Sequence, residues 1–167
     1  TSDLKRFSKD FFDYSPILIN KLKDCLADIV VRPLSVDAII VVAQICNKYS
    51  TPLTLRGSGT GNYGQCVPLR GGVVLVMSGL RKIRNFDSKS GEITVESGCL
   101  LRDINDELIK HGRQLRLLPS TWRSASIGGF IAGGSGGIGS VRWGFLRDPG
   151  HLTALEVITT EDSPRKL

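Results

Sequence analysis

The sequence predicts an α+β fold, and three observations carry that expectation. A strand, a helix and a second strand follow one another between Ile29 and Leu55; the segment Glu92 to Glu96 alternates polar and apolar residues as a half-buried strand does; and Leu100 to Lys110 forms a helix with one apolar face. With 167 residues, 41% of them hydrophobic, the chain has enough apolar material for one domain, or two small lobes, around a core.

In chain order, Thr1 to Tyr14 mixes charge with aromatic residues and holds no signal-peptide core. Ile17, Leu18, Leu22 and Leu26 fall near helical spacing, so residues 1–28 read as an N-terminal helical segment. Ile29-Val30-Val31 then reads as a short strand stopped by Arg32-Pro33. Ser35 caps a helix that runs through Tyr49, with Val36, Ile39, Ile40, Ala43 and Cys46 or Asn47 recurring at three and four. Apolar residues wrap widely around this helix, which predicts substantial burial. Pro52 closes the connection, and Leu53 to Leu55 completes a β-α-β unit whose right-handed crossover places the following loop at a strand's carboxyl end, where ligands sit.

Further along, Val73 to Met77 is a continuous apolar strand, and a polar hairpin region with Asn85, Asp87 and Gly91 leads into the alternating strand. Leu101, Ile104 and Leu108 share one face of the next helix, Gly112 stands as its C′ residue, and His111 is a last-turn partner of the helix dipole. Leu152 to Thr159 reads as a last strand, with Leu155, Val157 and Thr159 on one side, and Arg165-Lys166-Leu167 as the start of a returning one.

Two glycine tracts dominate the functional reading. Leu53 to Leu55 runs into Arg56-Gly57-Ser58-Gly59-Thr60-Gly61-Asn62-Tyr63-Gly64, a loop that lets consecutive N–H groups face an anion, with Arg56 expected at its mouth. The second tract, Ser124 to Gly139, suggests a long ligand with two phosphates. Gly59-x-Gly61-x-x-Gly64 matches the spacing of a Rossmann dinucleotide loop, yet Gln65 to Gly72 has no helical periodicity and contains Pro68, so the helix that would receive a pyrophosphate is missing. Neither tract ends in the Gly-Lys-Ser/Thr of a P-loop.

Composition narrows the classes further. Net charge is +6, but the basic residues are scattered and no aromatic-interleaved patch accompanies them, which argues against nucleic acid. Cys25, Cys46, Cys66 and Cys99 form no C-x-x-C pair and only two histidines accompany them, which argues against a metal. No apolar run reaches the length of a membrane span, and the expectation is a cytoplasmic protein. A first residue of threonine predicts a processed or excised piece.

One ordered set of residues goes beyond spacing: Pro33, Arg56-Gly-Ser-Gly-Thr-Gly, Gly71-Gly72-Val-Val-Leu, Glu96-Ser-Gly98, Ile127-Gly-Gly-Phe-Ile-Ala, Trp143-Gly144 and Leu155-Glu-Val. This set resembles the FAD-linked oxidase family with its PCMH-type FAD-binding domain, named after p-cresol methylhydroxylase, and within it the glycolate oxidase and D-lactate dehydrogenase group of the vanillyl-alcohol oxidase superfamily. The resemblance covers about Val31 to Thr160. It implies a small α/β lobe at residues 29–78 and a larger, mostly antiparallel sheet lobe at 79–167, with FAD extended between them.

Carried over by residue, the resemblance implies that Arg56, Gly57, Ser58, Gly59, Thr60, Gly61 and Asn62 wrap the FAD pyrophosphate. Pro119, Ser120, Thr121, Ser124, Ala125 and Ser126, with Gly128 and Gly129, would run beside the ribityl chain and flavin. Gly133, Gly134, Ser135 and Gly136 would cross near the pyrophosphate again, and Ile158 completes the implied cofactor set. Thr60 stands where family members that attach FAD covalently often carry histidine, and the second tract has no cysteine, so FAD is expected to bind non-covalently. The implied chemistry is oxidation of a 2-hydroxy acid or similar CH–OH substrate. The implied catalytic base lies in a carboxyl-terminal substrate domain beyond Leu167, so the chain as given is expected to be truncated, to bind FAD weakly or not at all, to turn over no substrate alone and to assign no catalytic residue. A non-catalytic flavin or nucleotide-binding module is the alternative.

Overall fold

The computed structural model describes residues 2–167, which cluster into two compact units: residues 2–79 with Glu156–Leu167, and Leu80–Leu155. In the first unit a three-stranded parallel sheet has the order β1 (Ile29–Val31), β3 (Val73–Val76), β2 (Leu53–Arg56). The β-α-β unit is present, but β3 lies between its two strands, pairing Ile29 and Leu53 alike with Val73. The most apolar run takes the centre because both its faces are covered: every residue of β3 is buried. Its four side chains contribute roughly 6–12 kcal/mol of transfer free energy, an upper bound because the unfolded chain already hides part of that surface.

The amino-terminal residues pack into this unit. Leu4 and Phe7 of α1 (Ser2–Phe7) lie against Ala27, Val74 and Val76, and Phe12, in a 3₁₀ turn, is 3% exposed. Ser15 caps α2 (Pro16–Leu22) by accepting from Leu18 N–H, with Pro16 at the first turn. Ser35 caps α3 (Val36–Lys48) by accepting from Ala38 N–H at 3.2 Å. The predicted wide burial of α3 is corrected: Ile39, Ala43 and Cys46 form one buried stripe, whereas Val41 and Ile45 are 50% and 51% exposed. One sheet face accommodates one helix stripe, so the remaining apolar residues have nothing in the unit to cover them.

The second unit pairs β4 (Ile83–Phe86) and β5 (Ile93–Val95) antiparallel, with further antiparallel contact limited to an isolated bridge between Leu100 and Ser126. Asp87 organises the hairpin turn by accepting from Lys89 N–H and the Ser90 hydroxyl. Helix α4 (Leu101–Ile109) buries Leu101, Ile104 and Leu108, each under 5% exposed. Gly112, at φ 67°, closes it while Arg113 N–H donates back to Leu108 O and Gly112 N–H to Ile109 O. Helices α5 (Ile127–Ala132) and α6 (Ser140–Trp143) follow.

The strand expected from Leu152 to Thr159 does not form: the segment is irregular apart from a bridge between Ile158 and Lys166. There Val157 and Leu167 exchange backbone bonds and Thr159 N–H donates to Arg165 O, so the returning segment pairs as predicted. Residues 152–155 find no neighbouring strand among the described residues, and Leu152 and Leu155 are 37% and 52% exposed. Alternation makes a strand only where a partner strand is present.

Candidate functional site

The first glycine tract leaves the carboxyl end of β2, and no helix follows it; turns from Gly64 to Val67 and from Pro68 to Gly71 lead directly to β3. This fits the rejection of a Rossmann loop. Gly59 sits at φ 70°, a conformation that side-chain-bearing residues rarely adopt. Among the described residues, the N–H groups of Gly59, Thr60, Gly61 and Asn62 donate to no protein acceptor. Four successive unspent donors in a loop of small residues supply the kind of donor row that an anion requires.

Arg56 is placed differently from the sequence expectation. Its guanidinium is not at the mouth: the residue is 7% exposed and donates from Nη1 to Lys9 O at 2.6 Å and to Cys66 Sγ at 3.1 Å. A Cβ added at Gly59 would overlap that guanidinium, so the loop backbone lies directly on it. Desolvation opposes such burial, and the Lys9 carbonyl and Cys66 sulfur offset it by accepting from the guanidinium.

Sequence reasoning missed Asp10. Its carboxylate accepts from Phe12 N–H through Oδ1 and from Gly64 N–H through Oδ2, both at 2.9 Å, and Phe11 N–H donates to Gly61 O. Burial pushes the Asp10 carboxyl above the usual carboxylate range, outweighing the backbone donors and the Arg56 charge that pull it down. Burial likewise pushes the Cys66 thiol up, although Arg56 pulls it down. Asp10 is 54 residues from Gly64 in sequence, and no periodic or motif signal links them.

The second tract combines turns and close packing. Trp122 N–H donates to Pro119 O, Ser124 N–H and Ala125 N–H both donate to Thr121 O, and Ser120 is exposed. Ala125 and Ser126 are buried, with Ala125 O accepting from Leu101 N–H; Ser126 precedes α5 but makes no side-chain cap bond. Gly128 is held against Ser97: its N–H donates to Ser97 O at 2.8 Å, and a Cβ there would meet Ser97 Cβ and O at 2.8 Å. A Cβ at Gly129 would come within 3.2 Å of Ser126 Oγ, closer than ordinary contact. Gly133, Gly134 and Ser135 close α5 by donating to Gly129, Ile131 and Phe130 carbonyls, and Gly136 lies beside Ser140. Beyond them, a Cβ at Gly137 or Gly139 would overlap Leu118 O or Arg116 O, so these two glycines serve close backbone packing. Ile158 lies in the short pairing with Lys166, within the first unit.

The histidines have local duties. His111 stacks on Phe86 with ring centroids 4.5 Å apart and sits 3.6 Å from Glu107, while His151 Nε2 shares a hydrogen bond with Trp143 O at 2.7 Å. No helix of the described residues is long and apolar enough to cross a membrane.

Similarity to known proteins bears on both glycine tracts. The FAD binding domain family matches residues 27–164. The D-lactate dehydrogenase of Anaerostipes hadrus is 29% identical over 131 residues, covering 78% of this chain and 27% of that protein. The glycolate oxidase subunit GlcD of Bacillus subtilis (strain 168) is 31% identical over 133 residues, covering 80% and 28%. The mitochondrial D-2-hydroxyglutarate dehydrogenase of Danio rerio is 27% identical over 135 residues, covering 81% and 25%. The chain thus spans about a quarter of the length of these curated relatives. Among solved structures, alkyldihydroxyacetonephosphate synthase has the same fold, with a TM-score of 0.78 over 96% of this chain and 33% of that one at 21% identity. With motifs, fold and a match over most of its length in agreement, the chain belongs to the FAD binding domain family and has its PCMH-type architecture.

Proposed function

We propose that this chain is the FAD-binding part of an FAD-dependent oxidoreductase acting on a 2-hydroxy acid or a similar CH–OH substrate, and that it holds FAD without a covalent bond. The observation that carries the reading is the row of unspent amides from Gly59 to Asn62 at the end of β2. Those amides donate to the pyrophosphate oxygens of FAD, and the small side chains of Gly57, Gly59 and Gly61 let the phosphates approach. The segment from Pro119 to Ser126, with Gly128 and Gly129, serves the flavin end. FAD, when bound, would supply the acceptor for the electron pair that leaves, as a hydride, the carbon bearing the hydroxyl.

Thr60 offers only a hydroxyl where a covalent attachment residue would stand, so the cofactor is retained by these contacts alone. The hydroxy-acid reading is supported by the names of the relatives: lactate, glycolate and 2-hydroxyglutarate are all 2-hydroxy acids. No residue of this chain is assigned as the catalytic base; a substrate domain supplies it in this proposal.

The test uses the full product of the gene, purified and exposed anaerobically to D-lactate, glycolate and D-2-hydroxyglutarate. Bleaching of a yellow flavin by at least one of them supports the proposal. Flavin that stays oxidised with every 2-hydroxy acid would point instead to a flavin-holding module without this chemistry.

A further inference from the structure

The stretch from Ser8 to Phe12 lies outside the family match, yet it ties down the glycine loop at three points. Lys9 O accepts from the Arg56 guanidinium at 2.6 Å, Phe11 N–H donates to Gly61 O at 2.9 Å, and the Asp10 carboxylate accepts from Gly64 N–H at 2.9 Å. The stretch is itself anchored, since Ser8 Oγ donates to Leu4 O and accepts from Ala27 N–H at 2.8 Å, just before β1. Asp10 and Arg56 are 5% and 7% exposed, so neither charge is available to solvent.

Two buried charged groups are costly unless they are bonded, and here their bonds go to the loop and to the strap that crosses it. Asp10 takes the donor of Gly64, while the loop backbone at Gly59 rests on Arg56. Between these fixed points the amides of Gly59 to Asn62 are left unspent. A loop fixed in this way loses little conformational entropy when an anion binds, and the saving appears as affinity.

We propose that Asp10 and Arg56 are positioning residues that hold the glycine loop in its anion-binding conformation before FAD arrives, an inference that rests on the loop being the pyrophosphate site. Neither touches the cofactor. Asp10 acts through Gly64, and Arg56 acts through the backbone at Gly59.

The experiment measures FAD dissociation constants and amide hydrogen exchange for the full product of the gene and for its Asp10→Asn and Asp10→Ala variants. Asn Oδ1 keeps one acceptor, so the expected order of FAD affinity is native, then Asp10→Asn, then Asp10→Ala, the last weaker by about tenfold or more. Without FAD, exchange is expected to quicken at the bonded amides of Phe11, Phe12 and Gly64, which join the strap and the loop, and to stay unchanged in β3. Should Asp10→Ala fail to fold, Asp10→Asn carries the comparison alone. Unchanged FAD affinity in a folded variant, or exchange quickened evenly across the first unit, would overturn the proposal in favour of a purely structural role. Failure of the full gene product to bind FAD at all would overturn the pyrophosphate reading and this inference with it. The exchange pattern tells the two failures apart, because it reads the loop without the cofactor.

Discussion

Gly59→Ala puts the loop's construction under the most direct strain. The native φ of 70° costs alanine roughly 1–2 kcal/mol. The new Cβ would also overlap the Arg56 guanidinium, whose Nη1 lies 2.7 Å from the built position. An exposed arginine would swing aside at little cost, but this one is 7% exposed and bonded to Lys9 O and Cys66 Sγ. Giving up one such charged bond costs roughly 1.5–3 kcal/mol. The sum is roughly 2.5–5 kcal/mol, which for a chain of this size lowers Tm by roughly 5–20 °C. Thermal and urea unfolding read the loss directly. A double-mutant cycle separates its parts: in an Arg56→Met background the charged bonds are already gone, and Gly59→Ala should approach its strain cost of about 1–2 kcal/mol. Stability of Gly59→Ala within about 0.5 kcal/mol of native, or an equal loss in both backgrounds, would refute the account of Arg56 beneath the loop.

Three further outcomes follow from the same structure. Ile104→Ala, at a position 1% exposed between β4, β5 and α5, should cost about 2–5 kcal/mol in urea unfolding, and a loss under 1 kcal/mol would show that the α4 core collapses around the gap. Acid precipitation of the flavin-loaded protein should leave all flavin in the supernatant, because Thr60 forms no covalent link; flavin pelleting with the protein would contradict this. Burial raises the Asp10 pKa in the folded state, so folding favours its protonated form: that contribution is fully present below the unfolded carboxylate value and is lost as pH rises through the raised one. The stability of the native chain relative to Asp10→Asn should therefore fall as pH rises across that window in urea titrations, and a relative stability that climbs with pH would show the opposite shift.

Features governed by neighbours in the chain were legible in the sequence. Ser35 caps α3, Gly112 closes α4, Asp87 turns the hairpin, and the absence of a helix after Gly64 could be read from Gln65 to Gly72. Each depends on one residue's φ, hydroxyl or carboxylate acting within a few positions. What depended on a distant partner was not legible. Alternation from Leu152 to Thr159 carried no information about whether a strand lay alongside, and the apolar girdle of α3 did not reveal that only one stripe would be covered. In the candidate site, the glycines of the first loop pointed to a turn-rich loop at the end of β2 with positive φ at Gly59, which is present. The burial of Arg56 and the arrival of Asp10 depended on a strap from the amino terminus that no motif encodes. The second tract mixed two signals, since Gly137 and Gly139 pack on Leu118 and Arg116 within a run that reads uniformly as ligand loop.

The central claim is that the loop from Gly57 to Asn62 receives the FAD pyrophosphate, and one substitution tests it with little disturbance of the fold. Thr60 is half-buried in the loop, and its side chain makes no hydrogen bond among the described residues. Thr60→Glu sets a negative charge beside the proposed phosphate position. Repulsion between unit charges about 4 Å apart near a protein surface amounts to about 4 kcal/mol, and even half of that weakens binding by more than tenfold. The measurement is a fluorescence titration of FAD against the full product of the gene and its folded Thr60→Glu variant. The account predicts FAD binding by the native protein and a loss of at least tenfold in the variant; equal affinity in the two would place the pyrophosphate elsewhere.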